Sequence, residues 1–156
     1  MKRVYKTTLG LMLMAGLLLG CLTIKKQSKA QVAQGIQGQI FEQKGNQMPQ
    51  KGKTFSKGIG YATQLYVFEP TSMQSATQIS GSIFRQPSTQ LIGSYATDSL
   101  GYFKVNLAPG RYSIFVGYEG GYYAASFNQR NELGIVQVSA GTFTPIEVII
   151  SAKASY

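Results

Sequence analysis

Histidine and tryptophan are absent from this 156-residue chain, cysteine occurs once, and only six residues are acidic. Each shortage closes a class of chemistry. A serine or cysteine triad needs an imidazole base, and there is none. Zinc sites built on Cys and His ligands fail for the same reason. The lone cysteine, Cys21, sits in an N-terminal apolar run, so no disulfide staples the folded body. Stability must come from a core of about a dozen large side chains, each contributing about 1.5–3 kcal/mol.

The acids Glu42, Glu69, Asp98, Glu119, Glu132 and Glu147 are scattered along the chain. A calcium site needs six or more oxygens gathered closely, and no such cluster of carboxylates appears. A glycosidase needs two convergent carboxylates about 5–9.5 Å apart. Asp98 is explained by a turn, and Glu147 alternates with Ile146 and Val148, which points it to solvent. The expectation is a non-enzyme without catalytic residues, metal or cofactor. An accessory domain of a hydrolytic system, with Glu119 or Glu132 as acid or base, is a third reading.

The excess of basic residues is mostly N-terminal. The formal net charge is +9, but Lys2, Arg3, Lys6, Lys25, Lys26 and Lys29 all precede Gln31; without them nine basic residues face six acidic ones, a net of +3. No stripe of Lys and Arg interleaved with aromatics survives, so no nucleic-acid partner is expected. Lys44, Lys51, Lys53 and Lys57 fall in a polar stretch and read as solvated loop charge, with contact to acidic polysaccharide or lipid head groups as the alternative.

Those leading charges belong to an address. Met1 to Lys6 is a positive segment, followed by an apolar run from Leu9 to Ile24. The run is shorter than the roughly 20 residues of a membrane span, and the pattern is that of a bacterial export signal. Two processing readings stay open. Leu18-Leu19-Gly20-Cys21 is similar to a lipobox, which would make Cys21 a lipidated N-terminus and the only link to a membrane. Ser28-Lys29-Ala30 before Gln31 is a small-x-small site for ordinary cleavage. The expected organisation is a signal over 1–30, or one ending before Cys21, and a single domain over 31–156. The expected location is periplasm, outer membrane if lipidated, or extracellular space.

The most structured stretch runs from Thr97 to Tyr112. Asp98-Ser99-Leu100-Gly101 reads as a hairpin turn, with Asp98 accepting backbone N–H bonds and Gly101 supplying a positive φ. Phe103, Val105 and Leu107 share one face of the strand that follows, and Tyr102, Lys104 and Asn106 the other. Ala108-Pro109-Gly110-Arg111 has type II turn chemistry, Pro109 at the second position and Gly110 at the third. Tyr112, Ile114 and Val116 then line one face of the next strand, as in a hairpin pair.

Asp-x-x-Gly, an alternating strand and Pro-Gly-x-Tyr together resemble the carboxypeptidase regulatory-like domain, a transthyretin-like β-sandwich. Gly35-Ile36-Gln37-Gly38-Gln39-Ile40 is similar to the opening strand of that family. Gly45-Asn46-Gln47-Met48-Pro49 is similar to a segment in a Bacteroidota-type subgroup of exported proteins. Tyr122-Tyr123-Ala124 and Ile146 to Ile150 sit where such proteins place late strands. The likeness covers residues 35 to 152. It implies a two-sheet transthyretin-like (prealbumin-like) fold and no characteristic catalytic residues. A transthyretin-like enzyme of purine degradation relies on histidines this chain does not have.

Elsewhere the pattern predicts a first strand over 36–41, a long loop over 42–60, and a strand over 61–69 that is apolar on both faces and therefore central. A strand around 79–84, a turn at Tyr118-Glu119-Gly120-Gly121, a strand over 122–127, and a strand–turn–strand unit from Leu133 to Ser151 follow. No helical period of useful length occurs after the signal. The expectation is an all-β sandwich of seven to nine strands in two sheets.

Nine of the ten tyrosines follow the signal. Tyr118, Tyr122 and Tyr123 flank Glu119-Gly120-Gly121 and are the candidate ligand or partner surface, as rings suited to stacking on sugars or proteins. The plainer alternative is that they are strand formers half buried at sheet rims. The expected function is an exported non-enzymatic binding or scaffolding module of the bacterial envelope, with an envelope protein or glycan as partner. Carbohydrate binding through exposed tyrosines is the alternative.

Overall fold

The computed structural model describes residues 33–48, 51–52 and 56–155; the segment 1–30 read as an export signal, and Cys21 with it, lies outside the described residues. Eleven strands follow in order: β1 (Gly35–Asn46), β2 (Ile59–Gly60), β3 (Gln64–Phe68), β4 (Gln78–Ser80), β5 (Ile83–Phe84), β6 (Leu91–Ala96), β7 (Tyr102–Asn106), β8 (Gly110–Tyr118), β9 (Gly121–Tyr123), β10 (Ile135–Val138) and β11 (Phe143–Ser155). They form the all-β, two-sheet sandwich expected. The number exceeds seven to nine because β2, β4, β5 and β9 are only two or three residues long.

In the four-stranded sheet β1 is the spine. Along one side it pairs in parallel with β11, and along the other with β7 at residues 35–39 and then β2 at 41–42. The seven-stranded sheet runs β4-β5-β9-β8-β3-β6, with β10 beside the first half of β8 and β9 beside the second. Between the sheets, Ile36, Ile40, Phe103, Val105, Val148 and Ile150 meet Leu65, Val67, Ile114, Val116 and Val138. Alternation on β7 is as the sequence implies: Phe103 and Val105 are buried, and Tyr102, Lys104 and Asn106 are exposed.

The seven-stranded sheet is apolar on its outer face as well. Phe68 of β3, Phe115 of β8 and Phe84 of β5 form a second core with Ala76, Ala124 and Leu133. Tyr66 and Tyr122 pack against it. The excursions 69–90 and 124–134 contribute Ala76, Ala124 and Leu133 as its cover. Thr71 fastens the first of them: its N–H donates to Ser113 Oγ at 2.8 Å, and its carbonyl accepts from Leu133 N at 2.8 Å. A strand buried on both faces is a central one, and β3 lies between β8 and β6 as its sequence implies.

Both turns around β7 depart from the hairpin expectation. The Asp98 turn itself forms: Oδ1 accepts from Leu100 N at 2.9 Å and Tyr102 N at 2.8 Å, and Gly101 has φ 81°. Yet β6 pairs with β3 and β7 pairs with β1, so the turn carries the chain from one sheet to the other. The Pro109 segment carries it back, because β8 pairs with β3, β9 and β10 and not with β7. Gly110 is therefore not the left-handed corner of a type II turn: it lies outside the positive-φ residues and opens β8 opposite Val138. A Cβ on Gly110 would stand in ordinary contact with the Tyr112 side chain, 3.4–3.5 Å away. That side chain reaches back to donate from its hydroxyl to Ala108 O at 3.0 Å.

Three boundaries also differ. The polar residues 42–46, expected in a loop, continue β1 because β11 offers a backbone ladder as far as Asn46↔Ser155, interrupted by a bulge where Ser151 and Ala152 of β11 oppose Gln43. The region around 79–84 is a small hairpin, β4 and β5, reversed at Gly81 with φ 53°. The strand expected over 122–127 ends at Tyr123, after which a single bridge joins Phe127 to Leu133.

Candidate functional site

The tyrosines singled out by sequence are not an exposed surface. Between Tyr118 and Gly121 the chain reverses in two residues, Glu119 at φ 48° and Gly120 at φ 76°, the conformation of a type I′ hairpin. So tight a turn keeps both flanking strands inside the sheet to their last residue. Tyr118 and Tyr123 are each only 3% exposed, on the inner face. Tyr122 points to the other face and stacks in the second core, 4.7 Å from the Tyr66 ring and 5.9 Å from Phe68.

The buried tyrosines hold the sheets together. The Tyr123 hydroxyl crosses to β11, donating to Ile149 O at 3.1 Å and accepting from Ser151 N at 3.2 Å. The Tyr118 hydroxyl donates to Glu42 Oε1 at 2.9 Å. Burial first, and then the Glu42 carboxylate beside it, push the Tyr118 phenol well above its ordinary value. Glu42, which the sequence did not single out, is 10% exposed and paired with Lys44 at 2.8 Å. Burial would raise its pKa, but the bonds from Lys44 and Tyr118 and the charges of Lys44 and Lys153 outweigh it and bring Glu42 below 4.5.

Three other carboxylates, Glu119, Glu132 and Glu147, are tied to structural partners. Asn128 and Arg111 both bond Glu132 and hold its pKa below the carboxylate norm, at 2.7 Å and 2.6 Å. Glu119 pairs with Lys153 and Glu147 with Lys57. Among the described residues no three His, Cys, Asp or Glu side chains gather where they could hold a metal ion.

What is open is the outer face of the four-stranded sheet. A groove of about 550 Å³ runs over β7, β1 and β11. Register builds it in two rows: Tyr102, Gln39 and Glu147 in one, Lys104, Gln37 and Pro145 in the next. Tyr102 is 51% exposed, the most open described tyrosine. Its polar neighbours are held by groups outside the groove. Gln39 Nε2 donates to Leu100 O at 2.9 Å, Lys57 binds both oxygens of Glu147 at 2.7 and 2.8 Å, and the Lys104 ammonium lies 4.3 Å from the Phe143 ring centre. Alternation already turned Tyr102 and Lys104 outward; that Gln39 and Glu147 stand beside them needed the β1–β7 and β1–β11 pairings.

A second hollow of about 490 Å³ lies between the β4–β5 reversal, the Glu119 turn and the end of β11, with Ser80, Ser82, Ser151 and Glu119 on its rim. It has no exposed ring, and Lys153 already occupies the Glu119 carboxylate. A third, smaller hollow of about 290 Å³ beside exposed Phe127 has no charged side chain in its lining. The outer face of β7, β1 and β11 is therefore the candidate site, with its one carboxylate ion-paired to Lys57. No family model matches the chain, and neither a curated protein nor a solved structure matches it.

Proposed function

We propose that this chain is an exported, non-enzymatic β-sandwich module of the bacterial envelope that binds its partner through the outer face of the four-stranded sheet. One observation carries the reading: the excursions of the seven-stranded sheet fill most of its outer face and leave only a hollow of about 290 Å³ beside Phe127, lined without a charged side chain, whereas β7, β1 and β11 carry a larger groove with an exposed ring among positioned polar and charged groups. The charge and apolar pattern of residues 1–24 supports export. The Asp-x-x-Gly and Pro-Gly-x-Tyr pattern supports kinship with carboxypeptidase regulatory-like domains. The absence of histidine from the sequence supports a role without catalysis.

Two measurements test this. Mass spectrometry of the mature protein should find an acylated N-terminus at Cys21 or a free one at Gln31; a chain retained in the cytoplasm with residues 1–30 intact would overturn export. Binding of the purified chain to isolated envelopes should be lost in Gln37→Glu/Tyr102→Glu and kept in Arg85→Glu, which alters an exposed residue outside the groove. Equal binding by both would remove this face as the surface used.

A further inference from the structure

We infer that the groove over β7, β1 and β11 takes an acidic glycan, with a sugar ring stacked on Tyr102 and a uronate carboxylate at Lys104. The inference rests on the reading of this face as the binding surface. Its first support is the row Tyr102–Gln39–Glu147, whose members stand one strand spacing apart, about 4.8 Å. A pyranose laid on the phenol ring therefore has an amide and a carboxylate within reach of its hydroxyls. Adjacent rows lie about 7 Å apart along the strands, so the two rows suit two consecutive sugar units.

The second support is pre-organisation. The Gln39 amide nitrogen is committed to Leu100 O, which leaves its Oε1 to accept from a ligand hydroxyl. Glu147 is held by Lys57 through both oxygens and keeps further lone pairs. Groups fixed in advance cost little ordering on binding.

Charge selects the class of glycan. Glu147 is neutralised by Lys57, whereas Lys104 makes no ion pair among the described residues, so one positive charge remains at the groove. A carboxylate on the second sugar answers it. Other partners fit less well. A protein interface would bury two glutamines, a lysine and a glutamate where interface centres are depleted in charge. A nucleic-acid backbone would bring phosphates onto the Glu147 carboxylate with a single unpaired lysine to hold them.

Calorimetry of the purified full chain with tetrasaccharides of mannuronate, guluronate, galacturonate and glucuronate tests the inference, with β-1,4-mannotetraose as the neutral match of the mannuronate. At least one uronate should bind, at least tenfold more tightly than its neutral counterpart. Lys104→Gln should abolish that preference. Tyr102→Thr, which keeps a strand-forming residue, should weaken binding at least tenfold, and Tyr102→Phe should retain it. Silence across all four uronates, equal affinity for neutral sugars, or binding unchanged in Tyr102→Thr with an unaltered unfolding midpoint would overturn it. Should uronates fail while envelope binding still depends on this face, the ligand class falls and the binding-module reading stands.

Discussion

The hydroxyl of Tyr118 donates to the carboxylate of Glu42 across the sandwich, 2.9 Å apart and 76 residues distant in sequence. One partner belongs to the seven-stranded sheet and the other to the spine of the four-stranded sheet, so the bond fixes the two layers at one end. Its pH behaviour follows from both ionisations.

Glu42 titrates below 4.5 in the folded chain. A depressed carboxylate contributes stability that is present above its unfolded pKa and lost as pH falls through the folded one. Tyr118 is raised from 10.0, so its contribution is present below pH 10 and lost above it. Urea unfolding should therefore weaken below pH 4.5 and again above pH 10. Tyr118→Phe should cost about 1–3 kcal/mol at pH 7 and flatten both limbs; limbs of unchanged steepness in that variant would contradict the assignment.

Tyr123 guards an edge. Its hydroxyl takes up Ile149 O and Ser151 N, on the strand that among the described residues pairs with β1 alone. Open strand edges recruit other chains. Tyr123→Phe should cost about 1–2 kcal/mol and increase light scattering on prolonged incubation at high concentration. A variant as stable and as clear as the parent would show that solvent replaces the hydroxyl without penalty.

Gly38 is required by a close approach and not by its φ. A Cβ there would stand 1.7 Å from Ile146 O, in the middle of the β1–β11 ladder. Gly38→Ala must part the two strands, and the expected loss is about 3 kcal/mol or more. Equilibrium urea unfolding measures it; a loss below 1 kcal/mol would mean the ladder yields easily.

Glu119 occupies a left-handed position that suits asparagine or glycine. Glu119→Asn creates an Asn-Gly turn at the cost of the surface pair with Lys153. In 0.5 M salt, where that pair is screened, thermal unfolding should show a gain of about 0.5–1 kcal/mol. A loss at high salt would show that the left-handed backbone at Glu119 carries no penalty for asparagine to relieve.

Local periodicity and turn chemistry carried much of this structure in the sequence. The alternation at Phe103, Val105 and Leu107 and the hydrogen bonds of Asp98 are short-range events, visible within a few residues. Which sheet each strand joins is not a local property. β6, β7 and β8 are consecutive, yet β7 leaves its neighbours to pair with β1, some 67 residues earlier at Gln37↔Lys104. Tyr118, Tyr122 and Tyr123 mislead for a related reason. A glycine-rich reversal bounded by aromatic rings suggests exposure, but a two-residue turn leaves both ends of the hairpin in the sheet, and Tyr122 is half-buried because Phe68, Phe84 and Phe115 share its face. The groove needed three strands from distant parts of the chain before Gln39 and Glu147 could flank Tyr102.

The parallel pairing of β1 with β11 sets the order in which the domain can mature. Gly35 aligns with Phe143 and Asn46 with Ser155, so the spine of one sheet stays unpartnered on that side until residues 143–155 have been made. Closing so long a loop is entropically slow and places the chain among high-contact-order folders. A nascent chain arrested before residue 143 would have β1 without its β11 ladder and the core without Val148 and Ile150, an incomplete sandwich that suits the export proposed for it. Completion of folding would then be timed by the arrival of the final strand on the far side.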